Sequence, residues 1–262
     1  MDMKLDNKLA VVTGSTAGIG YASARALLRE RARVIVNGRT RAAVDAAIKQ
    51  LKGETGQVAL GFTGDLSTAD AAGKLFAAWP DVDILVNNLG AFVAKPFEQT
   101  TDEDWNALYQ LNVMSGVRLA RLYLPGMRVR NWGRVIFISS ESGVQIPVES
   151  VHYGMTKAAQ IAVARGLAEL MAGTEVTVNS ILPGPTRSRA LNTFIERAVA
   201  QGQSAKALEK KFFEDLRPTS LLKRFADTDE VAALVVYVAS PLSSATTGAA
   251  LRVDGGVVKS AF

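Results

Sequence analysis

Residues 9–20 read LAVVTGSTAGIG and decide the fold of this chain. The first four are apolar, as in a buried strand, and glycines recur in the turn before a helical pattern begins. Glycine is required where the backbone turns tightly and must approach a bound group closely. The N–H groups at the start of the next helix then face a negative charge. The stretch predicts a turn that holds a pyrophosphate, with candidate contacts from Gly14, Ser15, Thr16, Gly18, Ile19 and Gly20.

Apolar runs alternate with segments of helical spacing along the rest of the chain. The runs are almost continuously apolar, which is typical of parallel strands covered on both faces. Alternation of this kind predicts right-handed strand–helix–strand units, and hence a doubly wound α/β sheet in one domain over residues 1–262. The predicted strands are Leu9–Thr13, Arg33–Asn37, Val58–Gly61, Ile84–Asn87, Arg134–Ser139, Val176–Leu182 and Ala250–Val253. The predicted helices are Ile19–Glu30, Arg41–Lys52, Ala69–Trp79, Asp102–Arg130, Val151–Ala172 and Asp229–Ala239.

One segment, Arg187–Phe225, interrupts this alternation. It is helical in pattern, charged and rich in aromatics, and we predict no strand within it. An insertion after a late strand lies at the carboxyl edge of the sheet, where ligands bind. We therefore predict a helical lid over the substrate.

Composition excludes several classes of protein. The chain has 262 residues, no cysteine, one histidine and a net charge of +5. It has neither the cysteines of a thiolate zinc site or disulfide scaffold nor the histidines of a multi-histidine metal site. The basic residues are scattered, which argues against nucleic acid as a partner. No apolar run is long enough to span a bilayer and no signal peptide is recognisable, so we expect no membrane association and a cytoplasmic location.

Several motifs resemble those of the short-chain dehydrogenase/reductase family, in its single-domain branch of 3-oxoacyl reductases. The glycine turn has the spacing Gly-x-x-x-Gly-x-Gly, the fourth strand ends Asn87-Asn88-Leu89-Gly90, and Ser140 precedes Tyr153 by thirteen residues, with Lys157 four further on. The resemblance covers Leu9 to Gly256. It implies a Rossmann-type fold, a nicotinamide cofactor and a homotetramer or homodimer. The family usually has alanine where this chain has Leu89, which adds bulk near the cofactor.

Tyr153 and Lys157 are the residues from which a chemical role can be argued. Residues four apart share one helix face, so both side chains can reach one cleft. A free tyrosine has a pKa of about 10, and a nearby ammonium lowers it, which suits the phenol to acid–base work. The resemblance implies that Tyr153 is the general acid/base, that Lys157 lowers its pKa and binds the nicotinamide ribose, and that Ser140 binds the substrate oxygen. It also implies that Asn112 supports a water-mediated proton relay to the lysine.

The cofactor is predicted to be NADP(H), with NAD(H) left open. The second strand ends at Gly38-Arg39, where an NAD enzyme commonly has an acidic residue. A guanidinium can instead bind a 2′-phosphate through two hydrogen bonds. Asp65 either contacts the adenine, as the resemblance implies, or closes a turn. Further cofactor contacts implied by the resemblance are Leu66, Asn88, Gly90, Pro183, Gly184, Thr186 and Ser188.

The substrate is predicted only as a small alcohol or carbonyl compound. Ser140, Gln145, Tyr153 and Phe194 are the candidate substrate contacts, and His152 is expected to line the pocket or an interface. Two enzymes remain as alternatives, an NAD-linked alcohol dehydrogenase and a 3-oxoacyl-thioester reductase. A dinucleotide-binding regulatory protein is the alternative outside catalysis.

Overall fold

The computed structural model describes residues 2–261, without the side chains of Arg189, Ala190 and Phe194. Over these residues the strands are β1 (Leu9–Val12), β2 (Arg33–Gly38), β3 (Leu60–Thr63), β4 (Ile84–Asn87), β5 (Gly133–Ile138), β6 (Val176–Pro183) and β7 (Ala250–Val253). The helices are α1 (Gly18–Arg29), α2 (Arg41–Thr55), α3 (Ala69–Ala78), α4 (Asp102–Tyr109), α5 (Ser115–Val129), α6 (Val151–Leu170), α7 (Arg189–Ala200), α8 (Ala205–Asp215) and α9 (Thr228–Ala239).

The strands form a single parallel sheet in the order β3-β2-β1-β4-β5-β6-β7. The order reverses beside β1, whose Val11 pairs with Ile35 on one side and Leu85 on the other. Such a reversal opens a crevice at the carboxyl ends of the strands, where open α/β sheets bind ligands. The predicted doubly wound α/β fold is confirmed.

Helices cover both faces of the sheet. One apolar cluster includes Leu27 of α1, Leu51 of α2 and Val235 of α9. The other lies across the sheet and includes Leu75 of α3 and Leu119 of α5. Burial on both faces explains why the strands lack apolar–polar alternation.

Local signals set several helix ends. The hydroxyl oxygens of Thr40 and Thr68 accept backbone N–H groups at the first turns of α2 and α3, which satisfies donors that a helix start leaves unpaired. Gly56 ends α2 with a left-handed φ of 72°. Glycine adopts that conformation without strain, so it is a common helix terminator.

Two predicted elements differ from the structure by more than their ends. The predicted helix Asp102–Arg130 is divided into α4 and α5 by a π-helical turn, Gln110–Met114. Such turns are rare and concentrate at functional sites. A single turn of five residues is too short to be recognised by apolar periodicity, which is judged over longer windows. The third strand begins at Leu60 rather than Val58, whose side chain is exposed.

The segment Arg187–Phe225 contains α7 and α8, and a parallel bridge between Thr186 and Ala226 joins its two ends. Phe212, Phe213 and Phe225 pack together with ring centroids 4.8–5.1 Å apart. In the part of the chain that the structure describes, no helix combines the length and apolar character needed to cross a bilayer.

Candidate active site

The glycine turn between β1 and α1 is held open by side chains from neighbouring elements. Gly14 has a φ of 59°, and its N–H donates to the Asn37 Oδ1 at 3.0 Å. The Ser15 hydroxyl donates to the Val12 carbonyl and accepts the Asn37 N–H at 2.9 Å. Asn37 thus ties the end of β2 to the turn, although sequence reasoning did not single it out.

Gly20 and Asn88 fit closely against each other. A Cβ at Gly20 would lie 2.5 Å from the Asn88 Nδ2 and 2.7 Å from the Gly14 carbonyl oxygen. The same Nδ2 donates to the Thr13 carbonyl at 2.9 Å. Asn88 and Gly20 therefore give the turn its shape, which is a backbone cradle that a larger side chain would fill.

A cleft of about 430 Å³ adjoins this cradle, at the ends of β1, β2 and β3. It is lined by predicted contacts from the turn and from the next strands: Gly14, Thr16, Arg39, Asp65, Leu66 and Gly90. The cradle and the cleft fit the pyrophosphate and adenosine parts of a dinucleotide.

The ribose end of this cleft lacks room for a carboxylate at Gly38. A Cβ at Gly38 would lie 2.5 Å from the Thr16 Cγ2, so any side chain there would displace Thr16. Arg39 is exposed beside it.

Asp65 lies at the same end of the cleft and closes a turn, because its Oδ1 accepts the Ser67 N–H at 3.0 Å. Hydrogen bonds from Ser67 and the charge of Arg39 hold the pKa of Asp65 below its usual value. Asp65 thus fits both roles considered from sequence.

The hydrophobic core accommodates the Leu89 side chain, which is larger than the alanine usual in the family. The side chain packs partly buried against the apolar cluster that contains Leu75 and Leu119. Its N–H donates to the Thr13 hydroxyl at 2.8 Å. The fourth strand therefore ends with its backbone tied to the glycine turn despite the departure from the usual motif.

A second cleft, of about 400 Å³, lies at the ends of β5 and β6 and contains Ser140 and Tyr153. We call it the reaction cleft. Ile19, Pro183, Gly184, Thr186 and Ser188 also line it. Gly184 is required by packing, because a Cβ there would lie 2.5 Å from the Asp254 carbonyl oxygen. Ser188 caps α7 by accepting the Leu191 N–H at 3.2 Å.

The structure brings Ser140, Tyr153 and Lys157 together. Ser140 follows β5, while Tyr153 and Lys157 lie one turn apart on α6. The Ser140 hydroxyl is hydrogen-bonded to the Tyr153 phenol, and the Lys157 Nζ lies 5.6 Å from the Tyr153 ring centroid. Phe92 packs edge-on against the Tyr153 ring, with the ring centroids 5.0 Å apart.

The predicted lowering of the Tyr153 pKa is wrong for this structure. Burial raises the pKa of the phenol above its ordinary value, and the hydrogen bond with Ser140 opposes that rise only in part. Burial also lowers the pKa of Lys157 to about 8. Desolvation disfavours the charged form of each group, so the phenol holds its proton and the ammonium gives its proton up more readily.

Lys157 donates to two acceptors on its inner side. Its Nζ lies 3.0 Å from the Ile138 carbonyl oxygen and 3.0 Å from the Gln160 Oε1. The Gln160 Nε2 in turn donates to the Asn112 carbonyl at 2.7 Å. The Gln160 side-chain amide thus links the lysine to the Asn112 carbonyl.

The Asn112 side chain makes structural hydrogen bonds next to the Gln160 amide. Its Oδ1 accepts the Ala91 N–H at 2.9 Å, and its Nδ2 donates to the Thr156 hydroxyl at 3.0 Å. The residue is fully buried within the π-helical turn. It therefore joins the end of β4 to α6, next to the catalytic pair.

Sequence reasoning missed a charged cluster in the wall of the reaction cleft, formed by Glu141, Glu149 and Arg217. The Arg217 Nε lies 3.1 Å from the Glu141 Oε1, and its Nη1 lies 2.9 Å from the Glu149 Oε1. The Glu141 side chain is 5% exposed and that of Arg217 12%. A glutamate directly after the Ser139-Ser140 strand end was the available signal, but nothing in sequence pairs it with an arginine 76 residues away.

Three other predicted residues have different outcomes. Gln145 is exposed and donates to the Thr219 hydroxyl at 3.3 Å, outside the lining of the reaction cleft, so its prediction as a substrate contact is not supported. Phe194 lies on α7, but its side chain is outside the described part of the structure. His152 is buried against Trp105, with ring centroids 5.9 Å apart, and lines neither cleft.

The parallel sheet, the glycine cradle and the Ser–Tyr–Lys group define a dinucleotide-binding oxidoreductase. Comparison with known proteins identifies the family. A family profile described as enoyl-(acyl carrier protein) reductase matches residues 14–258. The chain is 46% identical to the uncharacterized oxidoreductase YvrD of Bacillus subtilis over 99% of this chain and 100% of the relative. It is 32% identical to D-beta-hydroxybutyrate dehydrogenase of Cupriavidus necator over 97% and 99% of the two chains.

A solved structure agrees closely with the fold. The L-sorbose reductase of Gluconobacter frateurii, complexed with NADPH and L-sorbose, superposes with a TM-score of 0.91 at 31% identity, over 99% of this chain and 100% of that one. The protein belongs to the short-chain dehydrogenase/reductase family. It is an NAD(P)-dependent oxidoreductase that acts on alcohol or carbonyl groups.

Proposed function

We propose that the protein is an NADP(H)-dependent reductase of small carbonyl compounds, with Tyr153 as the proton donor. The observation that carries this proposal is the Tyr153 phenol, which lines the reaction cleft, is partly buried and is hydrogen-bonded to Ser140. A phenol that holds its proton is a general acid, which reduction of a carbonyl requires. NADPH, when bound, supplies the hydride that the carbonyl carbon receives.

Proton transfer, positioning of the substrate oxygen and charge stabilisation are assigned to residues of the protein itself. Tyr153 transfers its phenolic proton to the carbonyl oxygen, and Ser140 fixes that oxygen beside it. Lys157 places a positive charge behind the phenol, where it stabilises the phenolate left after proton transfer. The ring of Phe92 adds an apolar contact on one side of the tyrosine.

The preference for NADP(H) is supported by the ribose end of the cofactor cleft. Gly38 has no space for an acidic side chain, and Arg39 presents a guanidinium to the position of a 2′-phosphate. NADPH is also the cofactor named for the sorbose reductase that shares this fold. In this proposal the glycine cradle binds the pyrophosphate, while Pro183, Gly184, Thr186 and Ser188 adjoin the nicotinamide.

A 3-oxoacyl thioester is a second candidate substrate, favoured by an apolar chamber of about 330 Å³ beside the reaction cleft. Leu191, Phe212, Leu216 and Phe225 line both spaces. This chamber suits an acyl chain whose carbonyl lies at Tyr153. A 3-oxoacyl-[acyl-carrier-protein] reductase of Aquifex aeolicus is 31% identical over 98% of this chain.

Assembly as a homotetramer or homodimer, in the cytoplasm, belongs to the same proposal. A groove of about 620 Å³ between α5 and α6 is lined mainly by apolar side chains. Val129 and Leu170 on its rim are 87% and 64% exposed. Exposed apolar groups clustered along two helices are typical of subunit contacts.

The test of the proposed function is a panel of simple ketones, ketoses and acyl thioesters, assayed by NADPH absorbance. We expect turnover with at least one carbonyl class. The variant Tyr153→Phe should keep its fold and bind NADPH within twofold of wild type, but lose 10³-fold or more of kcat, on the order expected when a general acid is removed. Turnover of Tyr153→Phe comparable to wild type would exclude the acid role.

A further inference from the structure

The wall of the reaction cleft carries more negative than positive charge. Among the described residues that line it, the charged ones are Glu141, Glu149 and Arg217, and Tyr153 lines the same cleft. With both glutamates ionised, two carboxylates and one guanidinium give a net charge of −1. The cleft has a volume of about 400 Å³, so every group of a bound substrate lies near this charge. Charges interact more strongly in such a partly desolvated space than in water.

Arg217 is already bound to both glutamates. Its Nε lies 3.1 Å from the Glu141 Oε1, and its Nη1 lies 2.9 Å from the Glu149 Oε1. Burial disfavours the charged guanidinium, but the two carboxylates raise the pKa of Arg217 above its usual value, so the charge is retained. A substrate carboxylate would therefore have to compete with two glutamates for this arginine.

Glu149 has an oxygen that can accept a hydrogen bond from a substrate. Its Oε1 binds Arg217, whereas its Oε2 accepts no hydrogen bond from the part of the chain that the structure describes. The side chain is 31% exposed. The Glu141 carboxylate is more fully occupied, because it accepts hydrogen bonds from Arg217, the Ser140 hydroxyl and the Ser142 N–H. A substrate hydroxyl could thus form a charge-assisted hydrogen bond with Glu149.

Cations on neighbouring segments do not offset the charge of the wall. The Lys95 N–H donates to the Glu149 backbone carbonyl at 3.1 Å, but its ammonium binds Asp104. The Arg187 Nη2 lies 3.4 Å from the Glu209 Oε1. Neither Lys95 nor Arg187 lines the reaction cleft. The wall therefore presents hydrogen-bond acceptors and a net negative charge to the substrate.

We propose that the cluster of Glu141, Glu149 and Arg217 selects uncharged carbonyl substrates that carry a hydroxyl group, and rejects keto acids. The substrate hydroxyl donates to the Glu149 Oε2, while the carbonyl oxygen lies at Ser140 and Tyr153. A substrate carboxylate is repelled by the wall and finds its guanidinium occupied. This inference rests on the proposed function and narrows its substrate class to hydroxyketones and ketoses.

The test uses three ketones that differ at one carbon. The compounds 4-hydroxy-2-butanone, 2-butanone and acetoacetate share a methyl ketone, and their last carbon is CH₂OH, CH₃ or COO⁻. We expect wild-type kcat/KM to be about tenfold or more higher for 4-hydroxy-2-butanone than for 2-butanone, because a hydrogen bond to a charged group is gained. It should be about tenfold or more lower for acetoacetate than for 2-butanone, because of charge repulsion. A wild-type preference for acetoacetate would overturn the proposal.

Substitutions of Glu149 change the charge of the wall in steps, to zero in Glu149→Gln and to +1 in Glu149→Lys. We expect kcat/KM for acetoacetate, relative to 4-hydroxy-2-butanone, to rise about tenfold in the first variant and about tenfold again in the second. A purely structural role of Glu149 would lower activity on all three ketones together. Ratios that stay at the wild-type value in both variants would show that the proposal is wrong.

Glu149→Ala tests the hydroxyl contact separately. It removes the acceptor, so the preference for 4-hydroxy-2-butanone over 2-butanone should fall to within about twofold, as expected when a charged hydrogen-bond partner is lost. The melting temperature of each variant shows whether the fold is kept. A preference as large as that of wild type would refute the contact with Glu149.

Glu214→Gln is the matched control. Glu214 also lies in the segment Arg187–Phe225, where its Oε1 is 3.7 Å from the Lys210 Nζ, and its side chain is 61% exposed. It lines neither the reaction cleft nor the apolar chamber. The substitution removes the same charge, and we expect all three ratios to stay at wild-type values. An equal shift in this variant would assign the effect to overall charge and overturn the proposal.

The substrate panel separates this inference from the proposed function. A wild-type enzyme that reduces acyl thioesters but no hydroxylated ketone would overturn the inference and leave NADPH-dependent reduction in place. An absence of turnover on every carbonyl would refute the proposed function, and the inference with it. Should the small ketones bind too weakly, the same comparison is made between a ketose and the keto acid formed by oxidation of its terminal CH₂OH group.

Discussion

Arg39 is the residue whose role is most directly testable. It is exposed at the end of β2, beside a glycine that has no space for a side chain. A guanidinium that binds the 2′-phosphate of NADPH makes a charge-assisted contact that NADH cannot make.

We predict that Arg39→Ala weakens NADPH binding about 10- to 100-fold, as expected for hydrogen bonds to a charged group, and leaves NADH binding nearly unchanged. Fluorescence titration with each dinucleotide measures both effects. Arg41→Ala is the matched control, because Arg41 is exposed two residues later and pairs with Asp45. An equal loss for the two dinucleotides would refute the assignment of Arg39.

At the scale of residues, sequence was most informative where chemistry and spacing coincide. Ser140, Tyr153 and Lys157 were predicted together, and the structure brings them into one site. Sequence could not reveal Glu141–Arg217 or the Gln160 bridge, because each depends on contacts between distant elements. It also missed the direction of the Tyr153 pKa shift, since burial, rather than the nearby ammonium, dominates.

The strand–turn–helix unit formed by β1, the glycine turn and α1 is the element on which cofactor binding depends. Its shape comes from close contact between Gly20 and Asn88. The nearest atoms are a backbone carbonyl and a side chain already bonded to Thr13, so neither can move without losing hydrogen bonds.

We predict that Gly20→Ala lowers dinucleotide affinity at least tenfold and destabilises the protein by about 1–3 kcal/mol through overpacking. Gly73→Ala is the matched control, since Gly73 also lies in a helix but no atom lies within 4 Å of its added Cβ. That variant should be stabilised by about 0.5–1 kcal/mol. Urea unfolding and NADPH titration measure the pair, and identical behaviour would contradict the argument.

Strands and helices could be predicted where the apolar periodicity is strong and where capping or turn residues mark their ends. All seven strands and the helices outside residues 102–130 were predicted with small shifts at their ends. The π-helical turn at Gln110–Met114 escaped prediction because a single turn of five residues is too short for apolar periodicity to reveal. The segment Arg187–Phe225 was predicted as helical, but its division into α7 and α8 was not.

For the whole molecule, the apolar groove between α5 and α6 predicts self-association. We expect the double variant Val129→Glu, Leu170→Glu to shift the protein to a smaller assembly, because two carboxylates would be desolvated at the contact. Val58→Glu is the control, as Val58 is 64% exposed on another part of the surface. Light scattering that shows an unchanged mass for the double variant would exclude this surface as a contact.

The pairing of Glu141 with Arg217 also bears on chimeric enzymes. Glu141 follows a strand of the central sheet, whereas Arg217 belongs to the segment that a designer would exchange to obtain a new specificity. A transplanted segment without an arginine at that point would leave the glutamate uncompensated in the interior, whatever the merit of the new pocket. Grafts at this position therefore need either a retained Arg217 or a neutral residue in place of Glu141.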